Sequence, residues 1–316
     1  SMSKIAFIYP GQGAQKAGMG ADFYENSEIA RYIFDQAGEE LDLDMKELCF
    51  EENDRLDLTE YTQAAMVTTC LAMTRVAESK GLKADITAGL SLGEYPAIAA
   101  AGGMNDMDAI RLVRKRGILM QNTVPAGEGA MCAVISMAAE EIEKVIEPIA
   151  DVSVANYNCP GQIVITGKTD AVEEAAAKLK EAGARRTIML NVSGPFHSQM
   201  LVPAGEKLAE ELEHTRFHEL RIPYVTNVTA EKVTDIRETP GLLTTQISSP
   251  VRWMQSMERM IADGVDTFVE IGPGKTLEGF LRKIDRSVKV FHISQWEDVD
   301  KVCTELADSG KMMEEA

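Results

Sequence analysis

Gly89-Leu90-Ser91-Leu92-Gly93, preceded by the short apolar run 86–88 and followed by Ala-rich sequence, decides how this chain is read. G-x-S-x-G between a strand and a helix is the pattern of a nucleophile elbow. The serine sits on a strained turn, and the flanking glycines let the chain fold back against its neighbours. The helix N-terminus beyond it offers unpaired N–H groups to a developing negative charge. The same residues could form an ordinary Gly/Ser-rich turn; the strand–turn–helix context favours the elbow.

Before the elbow, a strand is expected at 5–9, stopped by Pro10 and followed by the turn Gly11-Gln12-Gly13. Helical periodicity covers 29–41 and 62–80, and Asn105-Asp106 caps a helix running to about Asn122. The texture then changes to strand 130–136, helix 138–149, strands 152–155 and 162–166, helix 171–182 and strand 186–192, the β-α-β-β-α-β order of a split ferredoxin-like unit. Helices 199–214, 253–263 and 277–284 then alternate with strands 222–226, 267–271 and 288–293, which implies a mostly parallel sheet covered on both faces. The expected fold is α/β: an α/β-hydrolase-like core with a mostly parallel sheet, built from 2–127 and 197–316, and an inserted small ferredoxin-like α+β domain over 128–196.

The 316 residues, 45% hydrophobic and 26% charged, suffice to bury a core without disulfides or structural metal. Lys and Arg total 32 against 50 Asp and Glu, a net charge of −18 that disfavours nucleic acid and anionic membrane surfaces as partners. The longest apolar stretch, 97–104, falls far short of the roughly 20 residues of a spanning helix. Five widely spaced cysteines without a C-x-x-C pair read as reduced thiols, and no segment reads as a signal peptide, so a cytoplasmic location is expected.

A serine nucleophile needs a base, most often histidine, and the chain has four. His214 and His218, at and beyond a helix end, are expected to face solvent; their H-x-x-x-H spacing lacks both the glutamate and the third ligand of a zinc site. His292 lies in an apolar strand and reads as a core or edge residue. His197 follows Ser193-Gly194-Pro195-Phe196, the bend at which the insertion rejoins the core over a cleft, and is the expected base. Arg116, in Arg111-Leu112-Val113-Arg114-Lys115-Arg116-Gly117, could belong to a solvated basic face or offer a pocket a rigid fork for a carboxylate; spacing alone leaves both open. Neither Gly-rich stretch fits a nucleotide: G-x-G-x-x-G fails at Lys16, and a Walker loop fails at Val269. The Gly11-Gln12-Gly13 turn could instead present an oxyanion-hole N–H.

Five ordered motifs, Tyr9-Pro10-Gly11-Gln12-Gly13-Ala14-Gln15, Gly89-Leu90-Ser91-Leu92-Gly93-Glu94-Tyr95, Arg116-Gly117, Gly194-Pro195-Phe196-His197-Ser198 and Glu270-Ile271-Gly272-Pro273-Gly274-Lys275, span nearly the whole chain. In these the chain resembles the malonyl-CoA–acyl carrier protein transacylase family, which loads malonyl groups for bacterial fatty acid synthesis. The resemblance implies Ser91 as nucleophile, His197 as its partner, the backbone N–H groups of Gln12 and Leu92 as the oxyanion hole, and Arg116 as the binder of the substrate carboxylate. It implies further that the main-chain carbonyl of Gln246 orients the histidine, and that Asn156 and Asn158 line the cleft from the smaller domain, though both could be strand-end turn formers. Phe196 resembles the malonyl-type version of its corner, leaving little room for a methyl on the α-carbon. Leu90 departs from the family, which commonly has histidine there.

The implied partners are malonyl-CoA, CoA and, transiently, acyl carrier protein, with no metal or redox cofactor. Because carrier proteins are acidic, docking would use a local basic patch, for which Arg185, Arg186, Lys275, Arg282 and Lys283 are candidates that could equally be solvated surface. The rival readings are a stand-alone acyltransferase of a polyketide synthase, a serine esterase or thioesterase that would not need Arg116, and a silent acyl-binding scaffold.

Overall fold

Strand β1 (Lys4–Tyr9) has five consecutive buried side chains after its first residue, the mark of a strand covered on both faces. A computed structural model of the chain describes residues 3–308 and places this strand in the interior of a six-stranded sheet. Helices α1 (Ala21–Asn26), α2 (Glu28–Leu41), α3 (Met45–Phe50) and α4 (Thr59–Ser79) lead to β2 (Ile86–Gly89), and α5 (Glu94–Ala100) and α6 (Asp106–Asn122) follow the elbow. The smaller sheet comprises β3 (Gly129–Ile135), β4 (Val152–Cys159), β5 (Gln162–Lys168) and β6 (Arg186–Met189), with α7 (Ala139–Ile146) and α8 (Thr169–Glu181). The chain returns through α9 (Val202–Glu213), β7 (Tyr224–Val225), β8 (Lys232–Val233), α10 (Thr239–Gln246) and α11 (Trp253–Ala262). It finishes with β9 (Val265–Ile271), α12 (Thr276–Ile284), β10 (Lys289–Ile293) and α13 (Trp296–Asp308).

The large sheet runs β10-β9-β1-β2-β7-β8 and is parallel except for the last pair. In it Tyr9 pairs with Gly89, so β1 and β2 end together and deliver the Gly11 turn and Ser91 to one edge, where ligands of open parallel sheets bind. The small sheet is antiparallel, β4-β5-β3-β6, and adopts the β-α-β-β-α-β order expected from the sequence. Its side chains divide by pleat: Cys132 and Val134 pack with Ile142, Val172 and Leu179 of its own helices, whereas Met131, Ala133 and Val164 join the main core. The second face therefore forms a wall of the cleft between the sheets.

Long helix α4 is buried nearly all round and settles three of its polar positions internally, with Thr62, Thr69 and Thr74 donating to carbonyls four residues back. Several expected boundaries move. The strand expected at 152–155 continues to Cys159, that at 186–192 stops at Met189, and the helix expected over 138–149 ends at Ile146. The helix expected over 199–214 opens as a 3-10 turn, Gln199–Leu201, because Pro203 occupies the first turn of α9. Asn105 holds the cap position of α6 without a capping side-chain bond. Helices α1 and α3, at six residues each, are too short to register as periodicity. None of the five cysteines pairs in a disulfide, and among the described residues no helix is long and apolar enough to cross a membrane.

A methyl on Gly89 would run into the carbonyl of Gly93, and one on Gly93 into the carbonyl of Tyr9. Gly89→Ala is expected to destabilise the fold by at least about 2 kcal/mol in denaturant unfolding, since backbone rather than side chain must move. Gly279→Ala on α12 meets nothing within 4 Å and should be stabilising by about 0.5–1 kcal/mol.

Candidate active site

Ser91 has φ 56°, a left-handed conformation that a non-glycine residue holds only when its surroundings fix it. The fixing group is Asn227, from the loop after β7. Its Nδ2 donates to the Gly89 carbonyl at 2.7 Å while its Oδ1 accepts the Ser91 N–H at 2.8 Å, so one amide clasps both sides of the turn. The Asn227 N–H in turn donates to Glu94 Oε1 at 2.8 Å.

His197 also has positive φ, 63°, at the corner between β6 and α9. Its Nε2 lies 2.8 Å from Ser91 Oγ and its Nδ1 3.0 Å from the main-chain oxygen of Gln246. A carbonyl only accepts, so Nδ1 carries the proton and Nε2 turns its lone pair to the serine hydroxyl. Burial, reinforced by the positive charge of Arg116, lowers the imidazole pKa to about 4, keeping it neutral at physiological pH.

Arg116 is fully buried behind Ser91 rather than on a solvated helix face. Its Nη2 donates to Ser91 Oγ at 3.0 Å and to Gln246 Oε1 at 3.2 Å, and Nη1 donates to Gln63 Oε1 at 2.8 Å. Its three acceptors are thus neutral, and Nε has no partner among the described residues. Gln246 does more than its expected main-chain role, since its Nε2 also donates to the Ser91 carbonyl at 3.0 Å.

The cleft, about 810 Å³, is lined by Gln12, Leu90, Ser91, Leu92, Asn156, Asn158, Phe196 and His197 among others. Gln12 and Leu92 thus line the same cleft as the serine. Asn156 and Asn158 lie within β4 and not at a strand-end turn; the pairing with β5 shifts register around both, re-aiming them towards the cleft. Asn158 Oδ1 is buried without a partner among the described residues. His218 departs from its expected solvated position: it is half-buried with Nε2 shielded, whereas His214 is exposed. His292, on β10, has Nδ1 4.0 Å from Glu278. Among the described residues no three potential metal ligands cluster.

Sequence reasoning missed Asn227, Gln63 and Glu94. Gln63 interrupts the apolar face of α4 and Glu94 directly follows the elbow, both visible signals; Asn227 stands in a loop with none. Glu94 is fully buried, and that burial raises its carboxyl pKa to about 7 against the lowering effect of its hydrogen bonds and of Arg116. Together the side chains offer a hydroxyl, a neutral base on one side of it and a guanidinium on the other, an arrangement suited to forming an ester at Ser91.

The acyl transferase domain family matches residues 6–299. A Bacillus subtilis malonyl CoA-acyl carrier protein transacylase is 44% identical over 304 residues, covering 95% of this chain and 96% of that protein. This chain belongs to the malonyl CoA-acyl carrier protein transacylase family. It is an acyltransferase. A family member from Staphylococcus aureus is 40% identical over 94% of this chain and 98% of its own length. The crystal structure of the Clostridium perfringens transacylase superposes with TM-score 0.93 at 42% identity, covering 98% of each chain. A malonyl-transacylase solved in complex with its type II polyketide synthase acyl-carrier protein superposes with TM-score 0.93 at 35% identity, covering 96% of this chain and 100% of that one.

Because His197 is already neutral, serine activation should not titrate near the ordinary histidine value. The rate of Ser91 modification by a sulfonyl fluoride is expected to stay within about twofold from pH 6 to 8, with its acid limb near 4. A fall on the acid side centred near 6.5 would mean a solvated imidazole.

Proposed function

We propose that this chain transfers a malonyl group from malonyl-CoA to the phosphopantetheine thiol of acyl carrier protein, in two half-reactions through malonyl-Ser91, supplying fatty acid synthesis in the cytoplasm. The observation that carries this reading is the meeting of three groups at one atom: Ser91 Oγ lies 2.8 Å from His197 Nε2 and 3.0 Å from Arg116 Nη2. In the first half-reaction the malonyl carboxylate takes the place of Arg116's neutral acceptors, turning the thioester carbonyl over Ser91 and freeing the hydroxyl from the guanidinium. Ser91 attacks as Nε2 accepts its proton, and the N–H groups of Gln12 and Leu92 stabilise the tetrahedral oxyanion. The imidazolium, steadied by the Gln246 carbonyl, then protonates the departing CoA thiolate. In the second half-reaction the carrier thiol gives its proton to His197 and attacks the ester carbonyl, and the imidazolium returns that proton to Ser91 Oγ as the serine leaves and the acyl group passes to sulfur. Two thiols of similar acidity make both directions accessible.

Phe196 and the two asparagines shape the acyl end of the cleft, and the aromatic ring favours malonyl over methylmalonyl. We assign the core, 2–127 and 197–316, to an α/β-hydrolase-like unit and 128–196 to an inserted ferredoxin-like domain. Carrier docking falls to the exposed basic residues; of these Arg282 is partly neutralised by Glu278 at 2.9 Å, which leaves Arg185, Arg186, Lys275 and Lys283 as the stronger candidates. A second reading, service to a polyketide carrier protein, is favoured by one observation, the similarity to the transacylase solved with such a partner.

A charge-assisted contact to a buried guanidinium is worth about 1.5–3 kcal/mol. Arg116→Ala should therefore lower malonyl transfer by about 100-fold while leaving acetyl transfer within about tenfold of the parent. Equal losses for both acyl groups would remove the selective role of Arg116. Charge reversal at Arg185 and Arg186 should slow transfer to carrier protein and spare acylation by malonyl-CoA; equal slowing of the two steps would exclude docking there.

A further inference from the structure

Arg116 and Glu94 are the charged pair of the buried cluster, and they do not touch as a salt bridge. They communicate through Gln246, whose Oε1 accepts from Arg116 at 3.2 Å and whose Nε2 donates to Glu94 Oε1 at 3.3 Å. Glu94 Oε1 also receives the Asn227 N–H at 2.8 Å, while Oε2 is buried with no hydrogen-bond partner among the described residues. A buried carboxylate with one oxygen bare is held ionised by the Asn227 and Gln246 hydrogen bonds together with the Arg116 cation; bringing a second carboxylate to that cation removes its share of the compensation.

We propose that Glu94 is the internal counter-ion of Arg116 before the acyl group binds, and that it takes up one proton from solvent when the malonyl carboxylate reaches the guanidinium. The site then keeps the same net charge with and without the acyl carboxylate, exchanging an internal anion for the substrate's. Glu94 is a positioning residue in this scheme, acting through Gln246 and Arg116 and not on the reacting atoms. The inference rests on the reading of Arg116 as the carboxylate partner.

The surroundings leave Glu94 as the group that responds. Tyr95, beside it on α5, and Tyr224 on β7 both feel its charge, and burial pushes their phenols up, so they stay neutral. His197, beyond Gln246, is held neutral by its lowered pKa. On α4, Arg75 is occupied by Asp106 and Glu78, each at 2.7 Å, and on β1 the Tyr9 hydroxyl pairs with Thr74 at 2.8 Å. The Glu94 carboxyl, raised to about 7, is mostly ionised at pH 8 and needs only a modest push to protonate.

The test is calorimetric titration of malonyl-CoA and acetyl-CoA into the Ser91→Ala protein at pH 8, in two buffers of different ionisation enthalpy, to count protons exchanged. The CoA phosphates are common to both ligands and cancel in the comparison. Malonyl-CoA is expected to draw about 0.5–1 proton more than acetyl-CoA. In the Ser91→Ala/Glu94→Gln protein that difference should vanish, and malonyl-CoA should bind up to about tenfold tighter at pH 8 than to the single variant, the two converging near pH 6. A malonyl preference without extra proton uptake, or uptake that persists with Glu94→Gln, overturns this inference alone. No malonyl preference at all overturns it together with the functional reading. Should Glu94→Gln not fold, the proton count on the Ser91→Ala protein still decides.

Discussion

The site depends on the left-handed backbone of Ser91. At φ 56° the hydroxyl leaves the sheet and enters the cleft at a cost of about 1–3 kcal/mol, which neighbouring interactions must offset. Gly89 and Gly93 allow the close backbone approach, β1 pins Leu90 through the Tyr9 carbonyl at 3.0 Å, and the Asn227 amide ties both ends of the turn. The facing residue, His197, is strained in the same sense at φ 63°. Two strained residues from distant segments thus meet over a 2.8 Å hydrogen bond, and the two sheets exist, in functional terms, to hold that meeting in place.

The electrostatics around this contact avoid full ion pairs. A carbonyl, not a carboxylate, accepts from His197 Nδ1, and burial with the positive charge of Arg116 keeps the imidazole neutral and available as a base. Arg116 is likewise satisfied by a hydroxyl and two side-chain amides, weaker partners than a carboxylate, so an incoming anion can displace them at modest cost. The nearest compensating charge, Glu94, is kept one amide away. Such an arrangement leaves the cation's strongest interaction for the ligand, which is where selectivity between a charged and an uncharged acyl group can arise.

The elbow, the parallel core and the inserted β-α-β-β-α-β unit were legible because each imposes a local pattern: glycines two residues either side of a serine, and a shift from long helical periods to short alternating strands. His197 was legible from the Gly-Pro bend before it. What stayed hidden depends on long-range packing. Arg116 sits among other basic residues on one helix: spacing left its role open, the family resemblance singled it out, and the fold shows it as the fully buried member. Asn227 lies 136 positions from the serine it clasps, without a motif, and the side-chain role of Gln246 cannot be separated in sequence from its main-chain one. Short helices such as α1, α3 and α10 follow from tertiary contacts more than from intrinsic periodicity, and α13 lies beyond the last strand that was read.

The most direct measurement of the central claim is intact-mass analysis with peptide mapping after brief mixing with malonyl-CoA, repeated after addition of free CoA. The account predicts one malonyl group per chain, located on Ser91, reversed by CoA and absent from the Ser91→Ala protein. An adduct on another residue, or steady release of free malonate with no adduct and no exchange, would contradict it.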